Sequence, residues 1–507
     1  MITKISEYLD RTVKMYPNKV AYIDDERQVT FQQLYDEGIR IACRLIKYRY
    51  FKQPVLLFME KSISLVSSFV GVAYSGNFYS PVDTKMPEER IKKIIETLDP
   101  SVVITNAKHK EQVKRFVHSC EIWIFEDIIE TSSANFELVI QVSKRIIDTD
   151  ILYVLFTSGS TGIPKGVIIN HRAVIDFIDW ISECYHFDEY TVFANQAQLY
   201  FDLSIQDVYA PLRNGSTTIL IPNRLYTAPV RVWNMILRHK VNTLVWIPSM
   251  LSIFANLDIL NNVEKAPLKS VLFCGEVMPM KQLNYWIKAY PNTLFANLYG
   301  PTECTEACTY YTIDRDFSDD DILPMGKPCK NSDAMIINSD TSELITKPGE
   351  IGELYIRGTC LSDGYYGDQE RTSEVFIQNP VNKQYPELVY KTGDLVCYND
   401  RYELVYISRK DFQIKIRGYR VELGEIEAAV SAIVAVTFGC CVFDALNEKI
   451  ILVYTGDIEP DEIKEILSTK LQEYMIPSEY YHRQKMLFNI NGKVDRNALQ
   501  KLYLTHK

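Results

Sequence analysis

The sequence predicts an α/β protein: a large N-terminal domain with doubly wound, mostly parallel sheets and a small β-rich subdomain, then a small α+β C-terminal domain. Three observations lead to this prediction. The 507 residues exceed what one hydrophobic core usually holds. Short apolar runs alternate with helix-like segments over much of the chain, as in parallel sheets covered by helices. After Glu343 the pattern changes to short strands separated by glycines.

The alternation defines the elements of the N-terminal domain. Each strand-like run is short and apolar, and the helix-like segments that follow are longer. Strands are predicted at residues 54–59, 101–105, 151–156, 218–222, 243–247 and 269–274, and helices at residues 62–74 and 230–239.

Glycine-rich turns around residues 349–352 and 364–367 indicate the β-rich subdomain, at about residues 325–408. A boundary near Ser408 to Asp411 then separates an N-terminal domain, residues 1–408, from a C-terminal domain, residues 411–507. The C-terminal domain is predicted to contain helices at 424–433 and 460–474 and strands at 435–442 and 450–455.

Composition excludes several classes of protein. The net charge of −10 lacks the basic footprint of a nucleic-acid binder and favours solubility. The eleven cysteines form no C-x-x-C pair and have no histidine set that would bind zinc. No secretory signal and no apolar run of about 18 residues is present, so we expect a reduced, cytoplasmic protein without a membrane span.

One loop directly follows the strand predicted at residues 151–156. Residues 155–166 read LFTSGSTGIPKG, with glycines that allow close backbone approach and with hydroxyls and a lysine that donate to anions. The spacing differs from that of the P-loop of nucleotide triphosphatases. The loop is predicted to cradle a polyphosphate through Thr157, Ser158, Gly159, Ser160, Thr161, Gly162 and Lys165.

Further motifs follow in a fixed order along the chain. Together with the loop they resemble the adenylate-forming superfamily of acyl-CoA synthetases, luciferases and the amino-acid adenylation domains of nonribosomal peptide synthetases. The resemblance covers essentially the whole length. Its motifs are at residues 29–34, 75–83, 201–204, 297–303, 352–358, 390–394, 409–420 and 491–496.

The resemblance implies a two-step ligase that uses ATP and Mg²⁺. A carboxylate first attacks ATP, giving an acyl-adenylate and pyrophosphate, and the barrier is electrostatic because two anions must meet. The C-terminal domain is then implied to be a mobile lid that rotates about Asp411, so that a phosphopantetheine thiol can displace AMP. The resemblance assigns Lys493, Thr302 and Glu303 to catalysis, with Glu303 also as the Mg²⁺ ligand.

The same resemblance assigns the nucleoside site. Asp394 and Arg409 match the ribose ligands, and Tyr299 and Asn297 match the adenine platform and its amide partner. Ser408 departs from the glycine that is usual before this arginine.

Asp202 matches the carboxylate that pairs with the substrate ammonium in amino-acid-activating members. The alternative is that Asp202 caps the following helix. Most of the remaining pocket is apolar, and Gln206 and Glu306 suggest a second polar group on the substrate. The predicted lining is Asp202, Leu203, Gln206, Val245, Leu272, Cys274, Leu298, Glu306 and Ala307.

Several functions stay open at this point. The leading hypothesis is a free-standing enzyme of nonribosomal peptide or antibiotic biosynthesis, which loads a small or aromatic amino acid, such as an aminobenzoate, onto a carrier protein in trans. The expectation of a separate carrier depends on the short sequence that follows Lys493. Alternatives are a D-alanine:D-alanyl carrier protein ligase, which residues 273–277 and 411–415 resemble, an aryl- or acyl-CoA ligase, and a non-enzymatic scaffold.

Overall fold

A computed structural model describes residues 2–159, 163–445, 447–488 and 494–504. The chain divides into two compact units. The first contains Met1–Thr84, Leu98–Leu155 and Gly166–Lys410, and the second contains Lys85–Thr97, Phe156–Lys165 and Asp411–Lys507.

The helices and strands are as follows. The helices are α1 (Ser6–Met15), α2 (Phe31–Lys47), α3 (Ile63–Tyr74), α4 (Glu88–Leu98), α5 (Lys110–Val113), α6 (Phe125–Thr131), α7 (Phe136–Ser143), α8 (His171–Cys184), α9 (Ile205–Asn214), α10 (Pro229–Arg238), α11 (Pro248–Asn256), α12 (Met280–Ala289), α13 (Gln369–Val375), α14 (Leu423–Ser431), α15 (Pro460–Ser468) and α16 (Arg496–Leu504). The strands are β1 (Val20–Ile23), β2 (Gln28–Thr30), β3 (Pro54–Phe58), β4 (Phe78–Pro81), β5 (Val102–Thr105), β6 (Glu121–Ile124), β7 (Ile151–Thr157), β8 (Lys165–Asn170), β9 (Val192–Asn195), β10 (Thr217–Leu220), β11 (Thr243–Trp246), β12 (Ser270–Cys274), β13 (Leu294–Tyr299), β14 (Thr309–Thr312), β15 (Lys327–Pro328), β16 (Ser332–Ile337), β17 (Leu344–Ile345), β18 (Gly352–Gly358), β19 (Phe376–Gln378), β20 (Leu388–Tyr398), β21 (Leu404–Arg409), β22 (Gln413–Ile416), β23 (Tyr419–Glu422), β24 (Val436–Asp444), β25 (Lys449–Gly456) and β26 (Glu479–His482).

Two largely parallel sheets form the body of the first unit. One has the strand order β6-β5-β3-β4-β7-β8, and β3 to β6 run parallel as predicted. The other has the order β15-β14-β13-β12-β11-β9-β10-β1-β2, parallel from β13 to β1 and antiparallel at both edges. Strands such as β3 and β12 are buried along their whole length, because helices cover both faces of a parallel sheet.

A core of buried side chains joins the two sheets within the first unit. It includes Leu57 of β3, Val174 of α8, Val208 of α9 and Leu272 of β12. The predicted doubly wound α/β class is therefore confirmed.

A third, antiparallel sheet also belongs to the first unit. Its order is β17-β16-β18-β20-β19, and β21 pairs with β20. Its strands lie within residues 332–409, in the region predicted to be β-rich. The register places Asp394 of β20 opposite Arg409 of β21.

The second unit contains the β22–β23 hairpin and the sheet β24-β25-β26. Two earlier segments group with it: Arg90 forms an ion pair with Glu425 of α14, and the Ser158 hydroxyl donates to the carbonyl of Arg420, at 2.8 Å. The helix predicted at residues 460–474 ends at Ser468. Leu471 and Met475, whose spacing imitates a helix, enter the core through a turn and the 3₁₀ helix Glu473–Met475.

Within the described ranges, no helix is long and apolar enough to cross a membrane. All eleven cysteines are free thiols.

Candidate active site

The predicted pocket wall lies at the carboxyl ends of parallel strands, where ligands bind in open α/β sheets. Val245 of β11 is the direct neighbour of Leu272 of β12, and Cys274 of β12 is the neighbour of Leu298 of β13. These four side chains are buried together with Leu203 and Ala307 in one apolar cluster. The structure therefore brings the predicted apolar lining together.

A second group of predicted residues lies around Asp394. Its carboxylate accepts hydrogen bonds from the Tyr299 hydroxyl and, at 2.8 Å, from the Arg409 guanidinium. Arg409 also donates to the carbonyl of Thr392, at 3.1 Å. Burial, followed by the Asp394 charge, raises the pKa of Tyr299 well above its ordinary value, so the phenol stays a donor. Tyr299, Asp394 and Arg409 form a paired, nearly buried cluster, which we call the Asp394 cluster.

Asn297 lies on β13 beside Tyr299, and its amide donates to the carbonyl of Pro324, at 2.8 Å. This bond fixes the side chain and directs the amide oxygen away from Pro324. Asn297 is thus held by its own hydrogen bond and not by a member of the Asp394 cluster.

Thr302 and Glu303 start the 3₁₀ helix Thr302–Cys304, which follows β13 after Gly300 and Pro301. Glu303 is fully buried, and its carboxylate accepts a hydrogen bond from the Tyr365 hydroxyl, at 2.7 Å. Its backbone carbonyl accepts from the N–H of Ser362, at 2.9 Å. Tyr365, which the sequence did not suggest, therefore orients the predicted metal ligand.

The turn after this helix is strained. Thr305 and Glu306 both adopt left-handed backbone conformations, with φ of 51° and 71°, which non-glycine residues seldom do. The Thr305 hydroxyl donates to the carbonyl of Cys360, at 2.8 Å. Gly300 lies so close that an added Cβ would be 2.4 Å from the carbonyl oxygen of Glu306, which explains glycine at this position. Such strain occurs mostly at functional sites.

Glu306 is 1% exposed, and neither of its carboxyl oxygens has a hydrogen-bond partner among the described residues. Burial, and next the charges of Asp202 and Asp207, raise its pKa well above the ordinary value. The N–H of Gln206 counteracts this shift without forming a well-directed hydrogen bond.

Asp202 is half-buried and begins the 3₁₀ helix Asp202–Ser204. Its carboxylate accepts from the N–H of Leu203, at 2.8 Å, whereas α9 begins three residues later without a side-chain cap. Asp202 therefore does not cap α9. Gln206, on α9, donates from its amide to the carbonyl of Leu203, at 2.7 Å, which leaves its buried oxygen without a partner in the described chain.

Several buried polar residues beside the pocket were missed by sequence inspection. Asp207 accepts from the Asn195 amide, at 2.8 Å, and burial raises its pKa to about 7. Burial lowers the pKa of Lys61 to about 7, although the charge of Asp207 opposes that shift. Burial, and next the charge of Asp202, raise the pKa of Tyr153. The available signal was a charged residue at position 207, next to the apolar run of residues 208–212 in α9.

The remaining predicted residues belong to the second unit. The Thr157 hydroxyl is buried without a partner in the described chain, Ser158 bonds to Arg420, and Lys165 is buried. The N–H of Gly159 lowers the pKa of the Glu425 carboxyl. The burial of Glu425 has the larger effect and raises that pKa overall. Asp411 is the first residue after the division between the units. Ser160, Thr161, Gly162 and Lys493 lie outside the described residues.

The Asp394 cluster joins Tyr299 of the largely parallel sheet to Asp394 and Arg409 of the antiparallel sheet. A pocket lined by carboxylates lies at the carboxyl ends of the parallel strands, where ligands bind in open α/β sheets. Residues 9–366 match the AMP-binding enzyme family. The chain belongs to this family, as the motifs predicted.

Two curated relatives illustrate the similarity. The chain is 31% identical to a D-alanine--D-alanyl carrier protein ligase of Staphylococcus aureus (strain Newman), over 98% of each chain. It is also 31% identical to part of a mycosubtilin synthase of Bacillus subtilis, over 98% of this chain but only 19% of that much longer protein.

Among solved structures, an artificially fused adenylation–PCP di-domain from Klebsiella oxytoca, NpsA-ThdA, has the same fold. It aligns with a TM-score of 0.81 at 22% identity, over 95% of this chain and 94% of that one.

Proposed function

We propose that this protein activates an amino acid with ATP and then loads it onto the phosphopantetheine thiol of a carrier protein. In the first step a carboxylate oxygen bonds to the α-phosphorus while the bond to the bridging oxygen breaks, and pyrophosphate leaves. In the second step the thiol sulfur, having given up its proton, bonds to the acyl carbon and AMP leaves. The carrier-protein relative and the adenylation–PCP structure support the choice of partner.

The observation that carries the proposal is the position of Asp202 beside a buried, mostly apolar wall. A carboxylate there favours a substrate with an ammonium group, because hydrogen bonds between ionised groups are stronger than neutral ones. An aryl or acyl acid without an amine would not supply that ammonium, so we prefer the amino-acid ligase to the CoA ligase.

Asp394 and Arg409 suit a ribose, since they combine an acceptor carboxylate with a guanidinium donor. Tyr299, which donates to Asp394, and Asn297, its neighbour on β13, are proposed to bind the adenine. Thr157, Ser158, Gly159, Ser160, Thr161, Gly162 and Lys165 are proposed to bind the phosphates.

Glu303 would supply a hard oxygen ligand of the kind that Mg²⁺ prefers, and the Tyr365 hydrogen bond would hold it in place. Thr302 is proposed to bond the α-phosphate. When bound, Mg²⁺ would neutralise charge on the phosphates. We propose that Lys493 contacts the α-phosphate and the substrate carboxylate and that Asp411 is the hinge. We also propose that the protein is cytoplasmic.

The test is substrate-dependent exchange of pyrophosphate into ATP, over a panel of amino acids that includes D-alanine, aminobenzoates and simple aryl acids. Lys493→Ala should lower exchange by about 10²–10³-fold, because a cation is lost where two anions meet. Transfer from a supplied aminoacyl-adenylate to a phosphopantetheinylated carrier should persist in that variant. Exchange with aryl acids but with no amino acid would contradict the proposal.

A further inference from the structure

The polar atoms around Glu306 share one property: most are acceptors without a donor. Neither oxygen of Glu306 has a hydrogen-bond partner in the described chain, and the same holds for the side-chain oxygen of Gln206, one oxygen of Asp207 and the amide oxygen of Asn195. The amide orientations of Gln206 and Asn195 are fixed by donation to Leu203 and Asp207. The Tyr153 hydroxyl is a single donor that also has no partner in the described chain. Buried polar groups are nearly always hydrogen-bonded, so the acceptors of this site outnumber its donors, and a ligand can bring the missing ones.

The charges around Glu306 have the same sign. Among the described residues, the charged groups that most affect it are Asp202 and Asp207, and both are carboxyls. Lys61 is directed elsewhere: its ammonium donates to the carbonyl of Gln196, at 3.2 Å, and to the Tyr226 hydroxyl, at 3.0 Å. A ligand that offers several N–H donors and a positive charge would satisfy this site, and an ammonium group offers both.

We propose that the substrate is a diamino acid whose side-chain ammonium binds the Glu306 carboxylate, while Asp202 receives the α-ammonium. This inference rests on the proposed function and narrows it to a substrate class. D-Alanine would leave Glu306 buried without a partner. An aminobenzoate would also leave it so, because its single, weakly basic amine cannot serve both carboxyls.

The strained turn supports this role. Glu306 keeps a left-handed conformation although glycine would adopt it more easily. Neither its backbone strain nor its unpaired burial stabilises the fold, so a stabilising role does not explain a glutamate here.

Binding should be linked to a proton. Glu306 faces Asp202, Asp207, Tyr153 and the N–H of Gln206, and burial with the two carboxyls raises its pKa well above the ordinary value. A bound ammonium favours the ionised form and lowers that pKa, so protons should be released as a diamino acid binds.

The experiment compares matched acids in pyrophosphate exchange. Each diamino acid is paired with its neutral isostere: 2,3-diaminopropionate with 2-aminobutyrate, 2,4-diaminobutyrate with norvaline, and ornithine with norleucine. We expect the best diamino acid to exceed its isostere in kcat/KM by about 10- to 100-fold, the range for a hydrogen bond to a charged group. Glu306→Gln should remove this preference, because it should lower kcat/KM for the diamino acid much more than for the isostere.

Two controls show whether the effect of Glu306→Gln comes from the lost carboxylate charge or from a disturbed fold. Glu37→Gln changes a glutamate of the first unit that pairs with Arg27, and it should leave the preference intact. Calorimetric titration of the diamino acid in buffers of different ionisation enthalpy should reveal the released proton in the wild type and not in Glu306→Gln.

The outcomes distinguish the two claims. Exchange that is fastest with a neutral or aromatic amino acid, and unchanged by Glu306→Gln, overturns the diamino-acid assignment and keeps the proposed function. A folded protein that neither exchanges with any acid nor binds the diamino acids overturns both.

Discussion

The Asp394 cluster and the pocket around Glu306 lie in the same unit but satisfy their charges differently. In the Asp394 cluster, the carboxylate accepts from Tyr299 and Arg409, and Arg409 has a second acceptor in Thr392. In the pocket, the Glu306 carboxyl is equally buried but has no hydrogen bond within the described chain.

The difference indicates which part of the site is complete without a ligand. A buried charge with hydrogen-bonded partners is preorganised, whereas one without partners is costly until a ligand binds. Substitutions in the two regions should therefore change stability in opposite directions.

The largest effect is expected from breaking the Asp394 cluster. Asp394→Asn leaves the nearly buried Arg409 guanidinium without its carboxylate, and we expect the free energy of unfolding to fall by about 3–5 kcal/mol. Denaturant titration measures this change. The double variant Asp394→Asn/Arg409→Gln should recover part of the loss, because no unpaired charge remains. A single variant as stable as the wild type would show that the cluster is not a unit.

The next largest effect is the dependence of the free energy of unfolding on pH. The folded-state pKa of Asp207 is about 7, so the folded protein keeps a proton that the unfolded chain loses near pH 4. Stability should therefore fall by about 2–4 kcal/mol as pH rises from 4 to 7, relative to Asp207→Asn. Unfolding curves for both proteins at several pH values test this. Parallel pH profiles would contradict the burial of an unpaired Asp207 oxygen.

A smaller effect is expected at Asp202. Asp202→Asn keeps the shape but removes the charge, so the amino substrate should lose about 1.5–3 kcal/mol of binding. The deaminated analogue should lose little. Comparison of kcat/KM for both acids decides this. Equal losses would make Asp202 structural and favour an aryl- or acyl-CoA ligase.

The smallest effect is a gain in stability, opposite to the loss expected from Asp394→Asn. Glu306→Gln removes a buried carboxyl that lacks partners, so without substrate the protein should gain about 1 kcal/mol of stability. Thermal unfolding with and without substrate measures the gain. Destabilisation by this change would mean that Glu306 already has a partner in the folded chain.

Sequence reasoning predicted the elements of the sheets well. The strands predicted at residues 243–247 and 269–274 are present as β11 and β12, and the family match over residues 9–366 confirms the predicted resemblance. It failed for the helix at residues 460–474, because Leu471 continues the helical spacing of Ile463 and Leu467 but enters the core after the helix has ended. The assigned site residues remain predictions, although the structure brings Tyr299, Asp394 and Arg409 together.

The sequence by itself determined the α/β class, the family and the chemical types of the site residues, because periodicity and motif spacing are local properties of the chain. Only the tertiary structure decided which polar atoms are paired. The Asp394–Arg409 pair depends on the register of two strands, and Tyr365 reaches Glu303 across 62 positions. Glu306 lacks a partner in the described chain because of burial and a strained turn, and both arise only when distant segments pack together.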